Sequence, residues 1–183
     1  VLSTLHTNNA IDTVIRLLDM GAEGFMVATS LDAVIAQRLV RRVCDSCGEP
    51  TEPDAHQKAW LAEQLSEEQL AGADFNHGAG CAYCSNTGYR GRIGVYEMLE
   101  IDEPLADALR QADTGAFTRA ARNQRGFRPL VTNALDYAMQ GITSVEDVIR
   151  LAGGVDAYTE ELSLEAPTAS NPLPDNDDGG ELA

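Results

Sequence analysis

No run of this sequence approaches the ~18 consecutive apolar residues of a membrane-spanning helix, and no basic-then-apolar leader is present. These residues are therefore expected to be soluble. Basic side chains are scarce. Thirteen Lys and Arg face 29 Asp and Glu, a net charge of -16, and a surface of that sign repels the phosphates of nucleic acid, so no nucleic-acid partner is expected. Much of the excess is local: Glu160, Glu161, Glu165, Asp175, Asp177, Asp178 and Glu181 lie in a final stretch without one Lys or Arg. Cysteine is nearly absent as well. With four cysteines and 44% hydrophobic residues, the chain does not resemble a small secreted domain stapled by disulfides, and unoxidised thiols point to the cytoplasm. The sequence has no initiating methionine and opens on Val1-Leu2-Ser3-Thr4-Leu5, which reads as the end of a buried strand, so it is expected to be the C-terminal part of a longer protein.

The four cysteines form two pairs, Cys44-Asp-Ser-Cys47 and Cys81-Ala-Tyr-Cys84. Two residues between thiols let one tight turn aim both sulfurs at a point, and two such pairs make a tetrahedral S4 site for zinc. A thioredoxin-like redox site needs one pair and leaves the second without a purpose. Four thiolates leave no open position for water or substrate, so the zinc is structural. The pairs stand further apart than in a minimal zinc ribbon, which makes Gly48 to Gly80 an excursion closed at its base by the metal. His56 and His77 are read as surface residues, since the cysteines already satisfy the ion, and Trp60 as core of the small lobe.

Elsewhere the pattern is that of an α/β protein. Ile11, Val14, Ile15 and Leu18 share one face of a helix, with Thr7, Asn8 or Asn9 as N-cap and Gly21 as terminator. A second helix is expected over Leu31 to Arg42, capped by Ser30, with Leu31, Val34, Ile35 and Leu39 as its buried stripe. Its Arg38, Arg41 and Arg42 either complement the helix dipole or contact a neighbouring subunit. Pro53-Asp54 opens a helix in the excursion, and Ser66-Glu67-Glu68-Gln69 offers a capping box. Ile93 to Ile101 reads as a strand apolar on both faces, suited to a covered sheet. Helical patterns follow over Pro104 to Gln111, Phe117 to Gln124 and Leu130 to Gln140, the last ended by Gly141, and Thr143 or Ser144 caps a further short helix. From about Asp156 the periodicity stops, and Pro, Gly and acidic residues predict a disordered tail.

Four segments carry a family resemblance. Ser3-Thr4-Leu5-His6-Thr7-Asn8 resembles the His box of the secretion ATPases of type II secretion and type IV pilus assembly. Ala36-Gln37-Arg38-Leu39-Val40-Arg41-Arg42-Val43-Cys44 is similar to the approach to that family's tetracysteine subdomain. Cys81 and Cys84, followed by Thr87-Gly88-Tyr89-Arg90-Gly91-Arg92 and Glu97, resemble the exit, and Gly141 to Val148 resembles its last helix. The resemblance implies the end of a RecA-like P-loop ATPase core over 1–42, a zinc-binding subdomain over 43–92, and a return strand and C-terminal helices over 93–154, while the disordered acidic tail over 155–183 has no counterpart in it. It implies a cytoplasmic homohexamer that binds ATP and Mg2+ and works on an inner-membrane platform protein, so that membrane association is indirect. It implies that His6 senses or stabilises the γ-phosphate side of the catalytic site and couples it to movement. The phosphate loop and the acidic boxes of the family precede the His box and are not among these residues, so the chain alone is expected to be inactive. The alternative reading is a stand-alone zinc-stabilised interaction module, which explains the cysteines but not the His box.

Overall fold

The structure is a computed structural model that describes the backbone of residues 1–164 and the side chains of residues 1–154. Its elements follow in the order α1 (Ala10–Asp19), α2 (Gly24–Ser30), β1 (Ala33–Val43), β2 (Gly48–Pro50), α3 (Ala55–Gln64), α4 (Glu67–Ala71), β3 (Asn76–Gly78), β4 (Tyr89–Glu100), α5 (Glu103–Arg110), α6 (Thr114–Asn123), α7 (Leu130–Met139) and α8 (Val145–Leu164). Helix ends obey the local chemistry. Asn9 accepts from the Asp12 amide at 2.7 Å, Asp54 and Ser66 each close a capping box, and the Ser144 hydroxyl accepts from Asp147 N at the start of α8. Gly141 ends the run of α7 with φ +68°, a conformation that costs glycine little.

The organising element is a long antiparallel ribbon of β1 and β4, in register from Ala33 opposite Glu100 to Arg41 opposite Arg92. Its inner face carries Val34, Ala36, Val40, Val95 and Leu99, all buried. Against that face pack Ala10 and Val14 of α1, Leu105 and Leu109 of α5, Phe117 of α6, and Leu130, Ala134 and Leu135 of α7, one continuous core. Full burial of each large side chain contributes roughly 1.5–3 kcal/mol. The α2 backbone lies directly on α5: a Cβ at Gly24 would collide with the Leu109 carbonyl.

Four expectations are corrected. The helix expected over Leu31 to Arg42 is the strand β1, and Ser30, its expected cap, instead ends α2 with its hydroxyl donating to the Met26 carbonyl. Leu31, Val34, Ile35 and Leu39 fit a helical stripe, but Val34, Ala36, Arg38 and Val40 also alternate, and a long partner in β4 satisfies the extended backbone. Consequently the arginines of this stretch lie along a strand and complement no helix dipole. Residues 1–7 carry no regular structure, so the strand expected at Val1 to Leu5 is absent. β4 is not covered on both faces among the described residues, since Tyr96 and Met98 are exposed on its outer side beside Ile35 and Leu39 of β1. α8 also continues to Leu164, past the break expected near Asp156; the rest of the expected tail, 165–183, lies outside the described residues.

Candidate metal centre

The metal centre is built where the two strands of the ribbon end. As β1 finishes, the chain makes a tight turn in which Cys47 N and Gly48 N both donate to the Cys44 carbonyl, at 3.2 and 2.7 Å. A matching turn over Cys81 to Asn86 sends Cys84 N and Asn86 N to the Cys81 carbonyl, at 3.3 and 2.8 Å. The turns are stitched together by Cys44 N to Gly88 O at 3.0 Å and Ala79 N to Cys47 O at 2.9 Å. Two glycines make that stitch feasible: a Cβ on Gly78 or on Gly88 would run into the backbone of the other.

The result brings all four predicted ligands together. The sulfurs of Cys44, Cys47, Cys81 and Cys84 lie within 4.8 Å of one another, and no histidine or carboxylate belongs to the cluster. Cys44 to Cys81 is 4.0 Å, Cys47 to Cys84 is 3.8 Å and Cys81 to Cys84 is 3.7 Å. A tetrahedron with Zn–S of about 2.3 Å has edges of about 3.8 Å, so the sulfur spacing fits zinc. Backbone amides already face the sulfurs: Cys81 N and Gly88 N each reach Cys84 Sγ at 3.3 Å. Burial alone pushes the Cys84 thiol up, but those two amides and the thiols of Cys81 and Cys47 outweigh it and lower it to about 6. Cys47 is pushed up to about 12, by burial first and then by the thiols it donates to. A dication placed among the four sulfurs would draw off their protons. His56 and His77 are exposed, as expected, with His77 Nε2 3.4 Å from Glu49 Oε1.

The lobe beyond these turns is small: β2 pairs with β3, α3 packs on α4 and α8, and Trp60 packs against the apolar cluster that Leu61 and Phe75 join. Its neck is fastened to the turn between α7 and α8. Val43 N donates to Ile142 O at 2.9 Å, Asp74 N to Met139 O at 2.8 Å, and the Thr143 hydroxyl to Arg41 O at 2.8 Å. Asp147, with 2% of its surface exposed, accepts from Arg41 N at 2.6 Å and Arg41 Nε at 2.8 Å and also pairs with Arg150. The Arg41 guanidinium in turn lies 3.8 Å from the Tyr89 ring centroid.

His6 stands apart from the metal centre, exposed on the turn that leads into α1. That turn is held from the inner face of the ribbon by two charged side chains whose task was not evident in the sequence. Arg38 Nη2 donates to Thr7 O at 2.6 Å and Asn8 Oδ1 at 2.9 Å, and Ala10 N donates to Glu97 Oε1 at 2.5 Å. The signal was a glutamate in line with Val95 and Leu99 on a buried strand face, where a carboxylate persists only with hydrogen-bond partners. Among the described residues no helix is long and apolar enough to cross a membrane.

Comparison with known proteins gives these features a context. A family model described as "Type II/IV secretion system protein" matches residues 1–150. The chain is 37% identical over 149 residues to the Type IV pilus assembly ATPase PilB of Thermus thermophilus, an alignment that takes in 81% of this chain and 16% of that protein. It is 39% identical over 151 residues to the Type II secretion system ATPase E of Vibrio cholerae, with 82% and 29% covered. It is also 39% identical over 153 residues to a putative type II secretion system protein E of Escherichia coli, with 83% and 30% covered. The chain thus spans less than a third of the length of each of these relatives.

Proposed function

We propose, from the premise that this chain belongs to the type II/IV secretion system protein family, that it is the C-terminal part of a cytoplasmic, hexameric ATPase driving type II secretion or type IV pilus assembly. The observation that carries this reading is 37% to 39% identity, across four-fifths of the chain, to proteins named as ATPases of those two machines. A stand-alone zinc module accounts for the cysteines and leaves the identity ahead of Cys44 unexplained. In this reading 1–42 close a RecA-like core, the zinc lobe is an insertion, and the motor works on an inner-membrane platform protein that gives it its only tie to the membrane.

Bound Mg-ATP supplies the γ-phosphoryl group whose transfer to water releases the free energy for movement. No Gly-x-x-x-x-Gly-Lys-Ser/Thr loop occurs in the 183 residues, so the phosphates are cradled by parts of the polypeptide outside them. What this chain brings is His6. An exposed imidazole on a pinned turn is able to donate a hydrogen bond to a phosphate oxygen or to hold a proton near it, without reorganising when charge builds up there. Zinc, held by Cys44, Cys47, Cys81 and Cys84, closes the base of the insertion and takes no part in the chemistry.

The test is His6→Ala in the complete protein, with steady-state turnover and nucleotide affinity measured on one preparation. Turnover is expected to fall by roughly ten- to a thousandfold with nucleotide binding nearly unchanged, the range for losing one positioned polar or acid–base group. Unchanged turnover would return His6 to an ordinary surface histidine.

A further inference from the structure

The inner face of the ribbon is apolar except for two long charged side chains, Arg38 of β1 and Glu97 of β4. They are diagonal neighbours, since Ala36 is registered opposite Glu97 and Arg38 opposite Val95. Neither hydrogen-bonds the other. Both reach the segment just after His6. Arg38 takes the Thr7 carbonyl and the Asn8 side chain, while one oxygen of Glu97 takes the amide of Ala10, the first residue of α1. The second Glu97 oxygen accepts from Leu130 N at 2.8 Å, the first amide of α7. A single carboxylate, 4% exposed, therefore caps two helices that are far apart in sequence. The segment is secured from its own side as well, by the Thr7 and Thr13 hydroxyls 2.5 Å apart and by Asn9 capping α1.

An apolar face that needed only to pack would carry aliphatic residues at both positions. Burial raises Glu97 above the ordinary carboxylate range, against the two amides that lower it; Asp12 nearby raises it further and Arg38 lowers it. The ionised group is thus kept at some cost in stability, which is characteristic of residues retained for geometry at a working site.

We infer that Arg38 and Glu97 are the positioning pair for His6, fixing the turn that carries it and tying that turn to α7. This rests on the reading of His6 as a residue that acts on nucleotide. The pair touches no substrate. It acts by denying the turn alternative conformations, and because the same carboxylate holds the start of α7, displacement of α7 moves the His6 turn with it.

The experiment uses the complete ATPase with Glu97→Gln, Arg38→Lys, His6→Ala and, as a control for lost stability alone, Leu109→Ala in the core where α5 meets α2. Glu97→Gln keeps the shape but turns an NH2 toward one of the two amides. Arg38→Lys keeps the charge but loses the planar guanidinium whose Nη2 donates to both Thr7 O and Asn8 Oδ1 while Nη1 reaches Gln37 O. Both variants are expected to lower turnover by roughly ten- to a hundredfold, the penalty for small misplacement of a reacting group, with nucleotide affinity within about twofold of wild type. Amide exchange in a peptide covering residues 5–13 is expected to quicken in both. Leu109→Ala is expected to lower the thermal midpoint while leaving turnover per folded molecule within about twofold, since it removes only packing. If Glu97→Gln fails to fold, Arg38→Lys carries the test. Wild-type turnover in Arg38→Lys and Glu97→Gln beside a depleted His6→Ala overturns the inference and leaves the reading of His6 standing. Equal losses in Leu109→Ala overturn it too, by showing that stability alone sets the rate. Wild-type turnover in His6→Ala overturns the reading and the inference together.

Discussion

The zinc lobe and the ribbon with its helices are held together by different forces. Between Gly48 and Gly80 the buried apolar side chains are Leu61 and Phe75, which extend the apolar cluster that the ribbon face and its helices build from Ala10 to Val148. The ribbon and its helices rest on that burial, whereas the lobe adds to its small share a four-cysteine cluster at its base. The difference teaches that one chain contains a part gathered around four cysteines able to hold a metal and a part whose folding is apolar burial. The joint between them combines polar links through Arg41, Asp147, Thr143 and the turn at Gly141 to Ser144 with the apolar contact of Leu61 and Phe75 with the core.

The sharpest way to break the contrast is to take the metal away. Structural zinc in small modules is worth on the order of 10–16 kcal/mol, so Cys81→Ser, or chelation, is expected to unfold 44–88 while the core persists. Elemental analysis should give one zinc per chain, and amide exchange should show loss of protection in the lobe and in the Gly141 to Ser144 turn fastened to its neck. Full protection in a metal-free chain with free thiols would show that the lobe stands by packing after all.

Next in size is the core itself. Phe117 is 1% exposed, and Phe117→Ala is expected to cost about 3–5 kcal/mol. Chemical denaturation with and without zinc should give the same loss in both, because the side chain belongs to the part that does not depend on metal. A loss that vanishes on chelation would mean the two regions unfold as one.

The smallest expected effect is a titration. Glu97 is raised by burial in the fold, so the folded state holds its proton more tightly than the unfolded chain does. Stability from this group is fully present below the ordinary glutamate value and is lost as pH rises through the raised one. Glutamine carries no such dependence. Thermal midpoints followed from pH 4 to pH 7 should therefore shift against wild type relative to Glu97→Gln as pH rises, and parallel curves would mean that burial does not perturb this carboxylate.

Local chemistry was legible wherever it acted within a few residues. Two Cys-x-x-Cys turns, the caps at Asn9, Asp54, Ser66 and Ser144 and the glycine stop at Gly141 are short-range features, and the structure places each where the spacing predicted. The helices α5, α6 and α7 were legible too, because the apolar stripe in each is written within a few turns of chain. Leu31 to Arg42 was not, since its apolar residues satisfy both a 3.6 and a 2.0 period. The short helix α2 before it left no stripe long enough to read.

By itself, then, the sequence determined the four-cysteine cluster, the capped helices and the family, each a matter of residue identity at short spacing. Only the tertiary structure decided that Ala33–Val43 is a strand, because that depends on pairing with Tyr89–Glu100 across a separation of more than forty residues. It alone gave Arg38, Glu97 and Asp147 their partners. A charged side chain in a sequence carries no mark of what it will face, and only the closed fold sets the Ala10 and Leu130 amides against one carboxylate and Arg41 against another.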